Sequence, residues 1–227
     1  QLVLAQQFDY PYLLPGQGNH PPELVVAYQP FGAQVEVFRA VRSQLMLRWF
    51  TSGRKALTIA SCNPDDGVSL FTANLAVVFS QLGERTLLID AHLRCPQQHE
   101  IFNLKNKQGL SDVLADRANI FEVISRIDSF VDLSVLPAGT LPPNPLELLN
   151  RLSFDKLSNQ LANQFDVILY DTLAFSSGSD ALAVASQTEG VLIVVQKNNT
   201  RLADINNMNE QLKYSGIEVV GSILIDF

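Results

Sequence analysis

The chain reads as one α/β domain built on a largely parallel sheet with helices on both faces, and three observations predict this. Its 227 residues lie near the upper size that one hydrophobic core organises. A composition of 47% hydrophobic and 17% charged residues supplies enough apolar surface for a buried sheet and excludes general disorder. Short apolar runs alternate with amphipathic stretches, and strands that are apolar throughout are those covered on both faces.

Residues 1–33 carry Tyr10, Tyr12 and Tyr28 among five prolines, Pro11, Pro15, Pro21, Pro22 and Pro30. These breakers predict an extended N-terminal arm ahead of a domain over 34–227. From 34 to 50, Phe38, Val41, Leu45 and Trp49 recur at helical spacing, with Glu36, Arg39 and Arg42 on an adjoining face. Ser52-Gly53 stops this helix. Beyond it, apolar runs predict strands over 56–60, 86–89, 131–136, 167–170, 191–195 and 217–225. Helical patterns fall over 69–82, 146–161, 180–186 and 203–214, while 97–127 reads as irregular helix. Ligands of such a sheet sit beyond the carboxyl ends of its strands, so the chemistry is expected in the residues that follow each strand.

Sixteen Lys and Arg against 23 Asp and Glu leave a net charge of −7, which excludes a uniformly basic nucleic-acid binder. No run approaches the ~18 apolar residues of a membrane span, and no signal-peptide series is present. A protein soluble as given is expected; because it starts at Gln1 rather than Met, an upstream leader stays open. Cys62 and Cys95 are too few for a disulfide framework and lie beside apolar runs. Free buried thiols in a reducing cytoplasm are expected, with a redox pair as the alternative. His20, His92 and His99 have no ligand-like spacing.

The stretch Ser61-Cys62-Asn63-Pro64-Asp65-Asp66-Gly67-Val68-Ser69 joins the first predicted strand to a helix, where a phosphate-binding loop would stand. Such a loop needs glycines that let backbone N–H groups turn inward, a Lys for the outer phosphates and a Ser or Thr hydroxyl for Mg²⁺. Gly67 and Ser69 are present, but Cys62 stands at the first glycine and Val68 at the lysine. An ordinary turn has the same Pro, Asp and Gly content. Two further apolar strands each end in a carboxylate, at Asp90 and Asp171. One such Asp also serves as a helix cap or turn former; the two together with Ser69 have the layout of a magnesium site.

These residues resemble the bacterial tyrosine kinases of capsule and exopolysaccharide synthesis, the cytoplasmic partners or domains of polysaccharide chain-length-determinant proteins, over roughly residues 30–227. The most specific match is Gly139-Thr140-Leu141-Pro142-Pro143-Asn144-Pro145-Leu146-Glu147-Leu148-Leu149, similar to the family's G-x-x-P-P-N-P-x-E-L-L. The second is Glu36-Val37-Phe38-Arg39-Ala40-Val41-Arg42, similar to the E-x-x-R-x-x-R helix that joins subunits into a ring in that family. The resemblance implies a P-loop fold of the deviant Walker class and ATP-Mg²⁺ dependent phosphorylation of tyrosines. It places Pro64, Asp66, Gly67, Val68, Ser69 and Leu70 at nucleotide-binding positions, and Ser69, Asp90 and Asp171 at metal positions, with Asp90 and Asp171 catalytic. It also places Glu36, Arg39 and Arg42 at a subunit contact, for which a solvated helix face is the alternative.

The chain departs from that pattern at its chemistry. The lysine corresponds to Val68, a glycine to Asp65, the second carboxylate of the D-x-D to His92, and the paired prolines after Asp171-Thr172 to Leu173-Ala174. The last tyrosine is Tyr214, inside a helical pattern. A hydrogen bond to a charged group contributes about 1.5–3 kcal/mol, so Val68 alone weakens ATP binding about ten- to a hundredfold. Asp65 adds like-charge repulsion of about 1–4 kcal/mol. Phosphoryl transfer depends mainly on positioning and charge neutralisation and suffers more. The expectation is therefore a cytoplasmic exopolysaccharide-biosynthesis protein with weak or absent kinase activity and weak ATP/ADP and Mg²⁺ binding. It would act as scaffold or regulator of polysaccharide chain length at the inner face of the membrane, through a chain-length-determinant membrane protein and through self-association or an active kinase paralogue. The alternative is an active kinase in which Arg94, Arg54 or a neighbouring subunit's Arg replaces the lysine. A septum-positioning ATPase fits less well, because those carry the lysine.

Overall fold

A computed structural model describes residues 20–29, 31–64 and 66–225. In chain order the elements are α1 (Val25–Tyr28), α2 (Ala33–Arg48), β1 (Ala56–Ser61), α3 (Val68–Ser80), β2 (Thr86–Asp90), α4 (Gln98–Ile101), α5 (Leu110–Leu114) and α6 (Ile120–Val123). There follow β3 (Ser125–Arg126), β4 (Leu133–Leu136), α7 (Pro145–Leu149), α8 (Leu152–Ala162), β5 (Val167–Asp171), α9 (Asp180–Thr188), β6 (Gly190–Gln196), α10 (Leu202–Tyr214) and β7 (Glu218–Ile225).

The strands form one sheet in the order β3-β4-β2-β5-β1-β6-β7. All neighbours pair in parallel except the two-residue β3, which lies antiparallel on β4. Side-chain alternation explains why the central strands are apolar throughout: Leu57, Ile59, Leu88 and Leu169 enter the cluster under α1, α2 and α3, whereas Leu87, Ile89, Ile168 and Tyr170 enter the one under α5, α7 and α8. The chain runs from β1 outward to β2 and β4, returns to insert β5 beside β1, and then builds β6 and β7 on the other side. This reversal leaves the loops after β1, β2 and β5 around one crevice, as open α/β sheets do at their switch point.

Four readings of the sequence change. The arm holds a helix: within 20–29, Leu24, Val26 and Ala27 are fully buried against α3. Asn74 fastens that segment by accepting from Val26 N (3.1 Å) and donating to Glu23 O (3.2 Å). Pro21 and Pro22 precede this short helix rather than keep the segment extended; Pro30, Tyr10 and Tyr12 lie outside the described residues. The helix read over 146–161 is two helices, interrupted where Asn150 and Arg151 separate α7 from α8. The region 97–127 contains three short helices and leads into β3, a strand too brief to show a period. Cys62 is buried as expected, whereas Cys95 is exposed, and both thiols are free.

Candidate nucleotide-type site

The loop after β1 bends into α3 through Gly67, whose φ of 69° and ψ of 21° lie in the left-handed region that glycine adopts without strain. The first N–H groups of α3 point out of the helix without intrahelical acceptors, the usual basis for anion binding. A cleft of about 410 Å³ opens there, walled by Pro64, Gly67, Val68, Ser69 and Leu70 from this loop and by His92 and Arg94 from the loop after β2. The structure thus brings together the nucleotide-binding positions expected from the sequence, with one exception in orientation. Asp66 is buried and faces the loop before α10, where Oδ1 accepts from Asn199 Nδ2 at 3.1 Å and Oδ2 from Asn63 N at 3.2 Å. Thr200 Oγ1 lies within 3.3 Å of both oxygens, so Asp66 fixes the shape of the loop. Asp65 lies outside the described residues.

Val68 is only 9% exposed and belongs to the apolar cluster that contains Phe71 and Leu57. Val68, read from the sequence as standing at the lysine position, is thus a largely buried branched hydrocarbon at the start of α3. Arg94 stands on the cleft wall, but Nε and Nη2 donate to Asp180 Oδ2 and Oδ1 at 2.9 and 3.0 Å, a bidentate pair with a buried carboxylate. Asp180 was legible only as the start of a helix; nothing in its neighbours along the chain points to Arg94. Arg54 is excluded as a substitute by distance. It precedes β1, stacks over the Trp49 ring at 3.9 Å and donates to Glu218 Oε2 at 2.8 Å, so the whole of β1, roughly 20 Å, separates it from the cleft.

Asp90 and Asp171 are register partners on β2 and β5 and are fully buried. Asp90 does what an isolated strand-end Asp does: Oδ1 accepts from His92 N at 3.1 Å, and Oδ2 from Gln97 N and Gln98 N at 3.0 and 2.9 Å, holding the start of α4. Burial, and then the charge of Asp171, push its carboxyl up to about 8 against those three hydrogen bonds. Burial also raises Asp171, opposed by Gln98 and by the Ser69 side chain. Gln98 went unnoticed in the sequence. Its Nε2 donates to Asp171 Oδ2 (2.8 Å) and to Ser69 O (2.9 Å), linking α4, β5 and α3. His92, read from the sequence as standing at the second carboxylate of the D-x-D, accepts from Cys95 N through Nδ1 at 3.1 Å. It is a turn-former here.

Among the described residues, Asp171 Oδ1, unlike Oδ2, is buried without a hydrogen-bond partner. An unpartnered carboxylate oxygen beside a serine hydroxyl is a pair of hard oxygen donors of the kind magnesium takes, so Ser69 and Asp171 fit that ion, with Asp90 behind them. The phosphate side fits less well, because Val68 presents no charge.

The two motifs that carried the resemblance resolve into structure. Gly139 and Thr140 are clamped by buried Asp112, whose Oδ2 accepts from Gly109 N and Thr140 N at 3.0 Å each and whose Oδ1 accepts from Arg117 Nη2 at 3.2 Å. Pro145 opens α7 at its first turn. On α2, Arg39 donates to Glu36, and Arg42 reaches across to Val78 O at 2.7 Å, near the end of α3. Arg42 therefore ties α2 to α3 within the protomer.

Among known proteins, the chain is 30% identical over 209 residues to the tyrosine-protein kinase YwqD of Bacillus subtilis, covering 92% of this chain and 88% of that one. It superposes on the kinase domain of the Escherichia coli tyrosine kinase ETK with a TM-score of 0.86 at 29% identity, over 92% of this chain and 81% of that domain. The septum site-determining protein MinD of Pyrococcus horikoshii, solved with Mg-ADP, shares the P-loop NTPase fold at a TM-score of 0.65 and 23% identity, over 75% of this chain and 69% of that one. No family model matches. The similarity over nearly the whole length shows that the chain belongs to the bacterial tyrosine-protein kinases of capsule and exopolysaccharide type.

Proposed function

We propose that this protein is a catalytically impaired member of its family, serving capsule or exopolysaccharide synthesis as a scaffold or regulator of chain length. The observation that carries the reading is Val68: an apolar, mostly buried side chain at the position of the phosphate-binding ammonium. In this reading Ser69 and Asp171 hold Mg²⁺, with Asp90 supporting, and the N–H groups of Gly67, Val68 and Ser69 cradle the phosphates of ATP or ADP. The metal would neutralise phosphate charge, as it does in phosphoryl transfer generally. Nucleotide occupancy would then steady the loop without transfer. The face of α2 carrying Glu36 and Arg39 joins copies of the chain, or an active paralogue, and the assembly docks at the inner face of the membrane on a chain-length-determinant protein. No described helix is long and apolar enough to cross a membrane.

The test is calorimetric titration with Mg-ADP alongside transfer from labelled ATP to a tyrosine-bearing partner. Weak binding without transfer is expected. Submicromolar affinity with turnover that Asp171→Ala abolishes overturns the reading in favour of an active kinase. Arg94 is the specific observation on that rival's side, since it borders the cleft and needs only to leave Asp180.

A further inference from the structure

Beside the phosphate-loop cleft lies a larger cavity of about 610 Å³, between the segment from Arg94 to Lys107 and the loop after β4. The two share Arg94 and Cys95, but Gly67, Ser69 and Leu70 do not reach the second. Its size is that of small-molecule sites.

The lining has two halves. Arg94, His99, Lys105 and Lys107 supply cationic or protonatable groups, and Leu104, Pro137 and Leu141 supply an apolar wall; among the described residues no Asp or Glu lines it. A carboxylate-free cavity carrying two lysines runs against the balance of a chain with net charge −7. Lys105 and Lys107 have no ion-pair partner among the described residues, so their charge is available. The carboxylates near the other basic groups are accounted for. Asp180 holds the Arg94 fork, Glu100 lies 3.9 Å from His99 Nε2, and Asp112, behind Gly139, is taken by Gly109, Thr140 and Arg117.

The segment bearing the lysines is fastened at both ends. Leu104 N donates to His99 O at 2.8 Å, and Leu110 N to Pro137 O at 2.8 Å. Between them Asn106 accepts from Gln108 N at 3.1 Å and donates to Glu122 O at 3.4 Å. Lys105 and Lys107, two apart on this non-helical stretch, line the same cavity, which places two ammonium-bearing side chains around one space.

We propose that this cavity binds an organic phosphate monoester, its phosphate between Lys105 and Lys107 and its ring or carbon skeleton against Leu104, Pro137 and Leu141. A phosphate suits the site better than a carboxylate: the planar Arg fork that pairs carboxylates bidentately is occupied by Asp180, and the free groups are ammonium point charges. The inference is independent of whether the neighbouring cleft turns over ATP.

The test is binding to the full chain, by fluorescence anisotropy for a labelled phosphotyrosine peptide and by calorimetry for glucose 1-phosphate and inorganic phosphate, with the unphosphorylated peptide as control. Saturable binding of one organic phosphate is expected, tighter than inorganic phosphate; which one binds identifies a modified protein or a phosphorylated sugar as the source. Lys105→Ala with Lys107→Ala is expected to weaken it about a hundredfold, at about tenfold per lysine lost. The Lys105→Arg, Lys107→Arg pair retains most of it, and Asp171→Asn, in the other cleft, leaves it unchanged. No saturation below about 1 mM, equal affinity for inorganic phosphate, or indifference to the double alanine substitution overturns the proposal. Circular dichroism and Tm of the double variant keep loss of fold separate from loss of binding.

Discussion

Two loops at the same end of the sheet are built alike and have diverged in content. The loop after β1 is shaped by buried Asp66, which accepts from Asn63 N and Asn199 Nδ2; the loop after β4 is shaped by buried Asp112, which accepts from Gly109 N and Thr140 N. In each a carboxylate gathers donors that the turn would otherwise leave unpaired, and a left-handed glycine, Gly67 or Gly139, completes the bend. The second loop carries the sequence that most resembles the family's motif, whereas the first bends through the same kind of turn and, in the reading proposed above, presents Val68 where a lysine would stand. The contrast makes a testable distinction between the shape of such a loop, which its buried carboxylate and glycine set, and its charge, which they do not.

The largest effect should come from breaking the second loop. At Gly139, φ is +84°, and an added Cβ would lie 2.5 Å from Asp112 Oδ2 and 2.5 Å from Gly109 N, so backbone must move. Gly139→Ala is expected to cost at least about 3 kcal/mol, whereas the left-handed conformation at Gly67 by itself costs an alanine about 1–2 kcal/mol. Urea midpoints at unchanged slope measure both. Equal losses would mean that the two turns are equally constrained.

Asp112 is the next lever. Burial pushes its carboxyl up, but hydrogen bonds from Thr140, Gly109 and Arg117 outweigh this and hold it below the usual range. A carboxyl whose folded value is depressed stabilises the fold fully above its unfolded value, near ~4, and loses that stabilisation as pH falls through the folded value. Asp112→Asn should cost about 1–3 kcal/mol at neutral pH. It should also make stability less sensitive to acidification below about pH 4. Denaturation series between pH 7 and pH 3 on both proteins check the sign.

The same contrast explains what was legible in the sequence. The strands announced themselves because double burial demands unbroken apolar runs, and Val68 and Ser69 could be placed because the loop's spacing follows from strand, turn and helix. Asp66, by contrast, read as a nucleotide-side residue, since nothing near it in sequence says that Asn199 and Thr200 will arrive from beyond β6. Gln98 and the Arg94–Asp180 pair were hidden for the same reason: each joins elements more than 25 residues apart. The α1 helix was hidden differently. Three buried apolar residues between prolines have no period to detect, and only the surface of α3 gives them a reason to turn.

Restoring charge to the first loop sharpens the comparison from the other side. Val68→Lys should raise Mg-ADP affinity about ten- to a hundredfold. It should also lose about 1–2 kcal/mol of stability from a valine taken out of the core. Calorimetry and thermal unfolding on the same preparation read both. A gain below about threefold would show that the cradle is no longer shaped for phosphate and that Asp66 fixes a turn rather than a binding loop.

Asp180→Asn is expected to have the smallest effect and asks whether charge can reach the cleft by another route. The Arg94 guanidinium is about half exposed and its pair with Asp180 is worth correspondingly little to stability, on the order of 1 kcal/mol or less. Asparagine keeps one acceptor and the packing at the start of α9 but removes the negative charge that neutralises Arg94. Released on the cleft wall, a cation within several ångströms of a bound phosphate contributes about 1 kcal/mol through solvent-like dielectric, or roughly a fivefold gain in Mg-ADP affinity. Because this attraction acts through solvent, it should fade between 50 mM and 500 mM salt. A gain above tenfold that survives high salt would instead place the guanidinium in direct contact with phosphate, making Arg94 the replacement for the ammonium that Val68 lacks. Combining Asp180→Asn with Val68→Lys separates the cases: two distant charges add, whereas two groups competing for one phosphate do not.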